Sequence, residues 1–236
     1  MRMRTTLLLI MIQGMVYGQS FRYPKLVEQG KSTSALVPKR WKLIDSVSGD
    51  LNNDHRRDIA LILEYDQEVR ESRAYGDSNT EIITEIQRPR MLAIYFKTSS
   101  GGYRLSTQNN HFILRSQEGG AMGDPLRPSA IANNQLTLSF EGGGEWQWKL
   151  DYAFKYRAGS WVLERAGNSF YHEASGEINV HQYDFLRKTK EITSGSKFNR
   201  ESANVTSTKT LPISTLRTFH TFKKPWTWQI GPDELL

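Results

Sequence analysis

The chain has 236 residues, 31 Lys and Arg against 25 Asp and Glu, a formal net charge of +6, and no cysteine. Without cysteine, disulfides, thiolate metal centres and a lipid anchor through cysteine are excluded, so outside the cell this chain must rely on its core or on a bound ion. Its basic residues are scattered, with short pairs at Lys39-Arg40, Arg187-Lys188 and Lys223-Lys224, unlike the basic stripe with interleaved aromatics of a nucleic-acid binder.

At the N-terminus, Arg2 and Arg4 precede a mostly apolar run from Thr6 to Tyr17, and Val16-Tyr17-Gly18 offers a cleavage site. This is the pattern of an export leader. The run is shorter than the roughly 20 residues of a spanning helix and is broken by Gln13 and Gly14. Residues 1–18 are therefore expected to be a removed signal peptide, leaving Gln19 first in a secreted or periplasmic protein. Loss of Arg2 and Arg4 takes the net charge from +6 to +4, and no later stretch is apolar enough to cross a membrane. Residues 19–35 read as a polar lead-in and 36–193 as the β domain.

Trp41 to Ile44 predicts a strand that delivers the chain to Gly49-Asp-Leu-Asn-Asn-Asp-His-Arg-Arg-Asp58. Asp50, Asn52, Asp54 and Asp58 stand at positions one, three, five and nine of a tight loop, so alternate side chains of a curled backbone face one point. Position seven, Arg56, offers its carbonyl. Oxygen donors in that number and spacing suit calcium. Leu61 stands where an EF-hand would carry its bidentate Glu, and Ile59 to Leu63 reads as a buried strand instead of a helix. A second reading stands beside the first: Arg56 and Arg57 neutralise the acids, and Asp and Asn serve as turn formers. Position six is His55, where a left-handed backbone favours glycine.

Gly49 to about Leu63 resembles an FG-GAP or VCBS-type calcium repeat, a Gly-Asp-x-Asn-x-Asp-Gly-x-x-Asp loop followed by an apolar strand. The resemblance implies Asp50, Asn52, Asp54 and Asp58 as ligands, with His55 in place of the family's second glycine. More loosely, the run from Leu36-Val37-Pro38 through Glu118-Gly-Gly, Gly123-Asp124-Pro125 and Trp146-x-Trp148 resembles a group of bacterial secreted proteins with one such loop. That wider resemblance brings no activity with it.

Beyond Tyr65 the chain is strongly polar to Arg88, a long excursion, and Arg90 to Lys97 predicts the next strand. His111 to Leu114 predicts another. Asn133-Asn134 between Ser129–Ala132 and Gln135–Phe140 predicts a tight hairpin. From Trp146 to Arg157, aromatic and apolar residues alternate with polar ones, the period of a long strand with one face in a core. Further strands are expected at Trp161–Arg165, 168–172, 177–185 and 189–193. Residues 194–236 read as a polar, mobile loop to Thr208 and an apolar tail that packs back on the domain. These elements predict an all-β antiparallel sandwich or roll in a single domain. A propeller is excluded because no second Asp-x-Asn-x-Asp run occurs.

The five histidines show no metal-binding pairing, and neither a Gly-x-Ser-x-Gly elbow nor a phosphate-cradling glycine loop is found. Glu118, Asp124, Glu141 and Glu145, at glycine-rich strand ends, are the candidates for a paired-carboxylate hydrolase. Trp146, Trp148, Trp226 and Trp228 are either core residues or flat platforms for sugar rings. The expected role is a non-catalytic binding or envelope-associated protein with a structural calcium ion and a glycan or envelope component as partner. The alternative is a secreted carbohydrate-active hydrolase.

Overall fold

The computed structural model describes residues 21–75, 81–198, 200, 203–232 and 234–236; the expected leader at 1–18 lies outside the described residues. Two antiparallel sheets dominate. The smaller has the order β1 (Gln29–Gly30), β7 (Tyr103–Asn109), β6 (Arg90–Lys97), β3 (Asp58–Tyr65) and β2 (Trp41–Gly49). The larger is a seven-stranded meander of β8 (Leu126–Ala132), β9 (Gln135–Gly143), β10 (Trp146–Arg157), β11 (Ser160–His172), β12 (Glu177–Asp184), β13 (Thr189–Ser196) and β14 (Val205–Thr210). Neither closes into a barrel or propeller. The protein is an all-β sandwich.

The continuous apolar runs of β3 and β6 have a simple cause: their sheet is covered on both faces. Ala60, Ile62, Leu92, Ile94 and Phe96 point into the core shared with the larger sheet, where they meet Leu136, Leu138, Phe140, Leu150, Tyr152 and Phe154. Ile59, Leu61, Leu63, Met91, Ala93 and Tyr95 point the other way. There the lead-in covers them with Phe21, Tyr23 and Leu26, joined by Leu36 of the short helix α1 (Thr33–Leu36) and by Trp41. The polar residues of the lead-in thus conceal a lid of aromatic and leucine side chains.

Turn chemistry sets the register of the larger sheet. Asn133 and Asn134 both have positive φ, 52° and 59°, the two-residue hairpin geometry that matches strand twist. The β10–β11 turn repeats it with Ala158 and Gly159 at 45° and 83°. Strand β11 is one long element instead of two, because a bulge opposite Ala153 and Phe154 absorbs the break in alternation.

The structure differs from the sequence reading in three places. His111 to Leu114 forms no strand, since the Asn109 side chain accepts the N–H groups of His111 and Phe112 at 2.9 and 2.8 Å and bends the chain there. Phe112 is nonetheless wholly buried, at the centre of a ring cluster with Phe140, Tyr152, Phe154, Phe219 and Phe222. The excursion after Tyr65 is a hairpin of β4 (Val69–Tyr75) and β5 (Glu81–Gln87). Within the expected mobile loop, Val205–Thr210 is β14, paired along β13 although all six of its residues are exposed. Its threonines and valine satisfy strand preference without a buried face. The tail beyond it buries Leu211, Phe219, Phe222, Trp228, Ile230 and Leu236 in the main core and ends in a small hairpin, β15 (Gln229–Gly231) and β16 (Glu234–Leu235).

Candidate cation loop

Residues 50–57 connect β2 to β3, and the last ladder pair below them is Gly49 with Asp58. Asp50 organises the loop. Its Oδ1 accepts the backbone N–H of Asn53 at 2.7 Å and of Asp54 at 3.2 Å, and its Oδ2 that of His55 at 2.9 Å. Asn52 Oδ1 also accepts the Asp54 N–H at 3.1 Å, and Asp54 Oδ1 accepts that of Arg56 at 2.9 Å. Asn53 and His55 are left-handed, with φ of 64° and 63°. The position where the resemblance calls for glycine therefore has the glycine-type backbone, at a cost of about 1 kcal/mol for a residue with a Cβ.

Asp58 differs from the other three donors in being wholly buried. Its oxygens accept the N–H groups of Leu51 and Lys97, each at 2.8 Å. Burial pushes its pKa up; the two N–H groups counter this, and the charges of Asp54 and Asp50 add to it. Among the described residues no Lys, Arg or His pairs with it. The arginines of the loop are turned elsewhere. Arg57 binds Ser48 through Nε and Nη2, and Arg56 lies 3.6 Å from Asp54 Oδ2, so only one of the two arginines leans on a loop acid.

The donor set is all oxygen, as calcium prefers, and a carboxylate oxygen that accepts one hydrogen bond keeps a lone pair for an ion. Asn52 Nδ2 donates to Asp54 Oδ2 at 3.1 Å. Among the described residues no three His, Cys, Asp or Glu side chains converge as a metal-holding group.

Of the four carboxylates considered for hydrolysis, three are ion-paired and one is exposed. Asp124 is held by Arg90, Oδ1 to Nη1 at 2.8 Å and Oδ2 to Nη2 at 2.5 Å. Burial works against the Asp124 charge, but this pairing outweighs it and holds the pKa below the usual range, the wrong direction for a general acid. Glu118 is paired with Lys224 at 2.9 Å and Glu141 with Arg127 at 3.0 Å. Arg127 also donates to the Asp124 carbonyl at 3.0 Å, so Asp124 and Glu141 are neighbours joined by one guanidinium. Glu145 is exposed at the β9–β10 turn, beside His172 and Glu173. Of the tryptophans, Trp228 is buried, Trp148 and Trp226 pack edge to face with centroids 4.5 Å apart, and Trp146 is 47% exposed beside His172.

Comparison with protein-family models, with curated proteins and with solved structures finds no match. The site's chemistry therefore stands on the residues themselves.

Two buried arginines escaped the sequence reading. Arg115 is wholly buried and grips Glu71 of β4 through Nε at 3.0 Å and Nη2 at 2.8 Å, with the Tyr23 hydroxyl 2.5 Å from Nη2. Arg90 ties Glu64 of β3 and the Leu114 carbonyl to Asp124. Their partners are far apart in the chain, and no local pattern marks them.

Proposed function

We propose that this protein is an exported, non-catalytic binding or envelope-associated β-sandwich whose Asp50–Asp58 loop takes up a structural calcium ion. The carrying observation is Asp58, a buried carboxylate with two backbone donors, two acidic neighbours and no cationic partner among the described residues. A divalent ion supplies the missing positive charge. Asp50, Asn52, Asp54, the Arg56 carbonyl and Asp58 are the residues that would hold it. The resemblance of the segment to an FG-GAP or VCBS-type repeat supports the same donors, and His55 has the left-handed backbone of the glycine it replaces.

The ion's part is structural: it fixes the loop against β6, whose Lys97 already meets Asp58. Calorimetric titration of chelator-stripped protein with calcium tests this. Uptake with a Kd of about 10⁻⁴ to 10⁻³ M, typical of extracellular modules, is expected, together with a rise in Tm and loss of both in Asp54→Ala. Absence of heat and of any Tm change rules the ion out. Export is tested by sequencing the N-terminus of the protein recovered outside the cytoplasm, which should begin at Gln19.

A further inference from the structure

The outward face of the seven-stranded sheet carries a shallow groove of about 380 Å³, at the lower end of the range of small-molecule sites. Its floor follows from strand register. Asp151 pairs with Gly167, Gly167 with Gln182, Gln182 with Glu191, and Glu191 with Thr208. These residues form one row perpendicular to the strands from β10 to β14, roughly 19 Å long at the usual interstrand spacing of about 4.8 Å. Every member except the glycine carries a hydrogen-bonding side chain.

Gly167 is what makes the row a groove. It sits inside a 13-residue strand, where glycine weakens pairing and often marks the close approach of a ligand. Its φ is not positive, so the backbone does not require it. A Cβ there would stand 3.1 Å from Gln182 Nε2 and 3.6 Å from Asp151 Oδ2, filling the space between them.

The lining selects a ligand class. Asp151, Asp184 and Glu191 alternate with Arg165 and Arg187 in the walls, so an ion of either sign meets its own charge. Several of these groups are steadied within the wall: Asp151 accepts from Ser139 at 2.6 Å, Arg165 donates to Gln135 at 2.5 Å, and Asp184 accepts the Arg187 N–H at 2.8 Å. Gln182 and Glu191 are exposed and have no side-chain partner among the described residues. Such a surface offers acceptors and donors in alternation, which suits vicinal hydroxyl groups that must both give and take hydrogen bonds.

We infer that this groove is a binding site for a neutral, hydroxyl-rich chain, a glycan lying across the strands over Gly167. The assignment deepens the binding reading above and is independent of the calcium loop. Titration of the purified protein with cellohexaose, maltohexaose and chitohexaose, with inorganic phosphate and spermidine as charged probes, tests it. At least one hexasaccharide should bind, and Gly167→Leu should weaken it about tenfold or more by occupying the floor. Because Gly167→Leu risks misfolding, Gln182→Ala and Glu191→Ala, both at exposed positions, should each weaken it severalfold with an unchanged circular dichroism spectrum. No hexasaccharide binding, binding indifferent to all three changes, or preference for either charged probe overturns the inference. Repeating the titration in calcium and in chelator separates the two readings. Glycan binding without calcium uptake sinks only the loop, and calcium uptake without glycan binding sinks only the groove.

Discussion

One oxygen of Asp58 accepts the backbone N–H of Lys97, the last residue of β6, at 2.8 Å, so a side chain ties the β2–β3 loop to the neighbouring strand. The other oxygen holds Leu51 in the same way. In Asp58→Ala the buried Leu51 N–H and the partly buried Lys97 N–H lose their partner, and about 2–4 kcal/mol of stability should be lost. Urea unfolding in chelator measures this free of any ion. Asp54→Ala, at a partly exposed position, should cost less than half as much. Equal losses would show that the two N–H groups held by Asp58 add nothing to the fold beyond what a partly exposed loop carboxylate contributes.

Glu71 and Arg115 form a buried pair whose two halves need each other. Removing one partner of such a pair typically costs 3–5 kcal/mol, while exchanging both for apolar residues of similar volume is often neutral. Glu71→Ala should therefore destabilise by about 3–5 kcal/mol, and the double variant Glu71→Leu, Arg115→Met should recover most of it. A double variant no better than the single one would place the energy in the Tyr23 and backbone contacts instead.

Acid should weaken the fold in two steps. Burial, reinforced by Lys190, holds the His181 imidazole below its ordinary pKa despite Glu234 beside it. The fold thus favours the neutral ring. That contribution is present above the unfolded value of about 6.5 and is lost as pH falls from there to the folded value. Glu234 and Asp124 follow the carboxylate rule. Burial opposes their charge, but Lys190 and Tyr183 around Glu234, and Arg90 at Asp124, lower both pKa values. Their stabilisation holds above unfolded values of about 4.3 and 3.9 and is lost as pH falls through the folded ones. Urea midpoints measured from neutral to acid pH should show both declines, and His181→Asn, which also removes a neighbour of Glu234, should abolish the first while leaving the Asp124 part of the second.

Trp146 is 47% exposed, whereas Trp41, Trp161 and Trp228 are at most 7% exposed. Trp146→Phe should remove the largest acrylamide-quenchable part of the fluorescence and change stability by less than about 0.5 kcal/mol. A large loss of stability would mean that its contact with His172 holds the β10–β11 end together.

Local chemistry determined a good deal by itself. The alternation from Trp146 to Arg157 specifies a strand with Leu150, Tyr152 and Phe154 inward, because successive side chains point to opposite faces. Asn133-Asn134 specifies its hairpin, because both residues tolerate positive φ. The spacing of Asp50, Asn52, Asp54 and Asp58 places four oxygen donors in one loop. Tertiary structure decided the rest. That Asp58 alone is buried depends on β6 crossing beside the loop. That β3 is covered on both faces depends on a lead-in whose apolar residues show no period. Arg90 and Arg115 find their acids only across elements, and Asp151, Gly167 and Gln182 become neighbours only when β10, β11 and β12 pair. Periodicity and turn preference act over a few residues and are written in the sequence; charge pairing and groove formation act between strands distant along the chain, and only the assembled sheets bring those residues together.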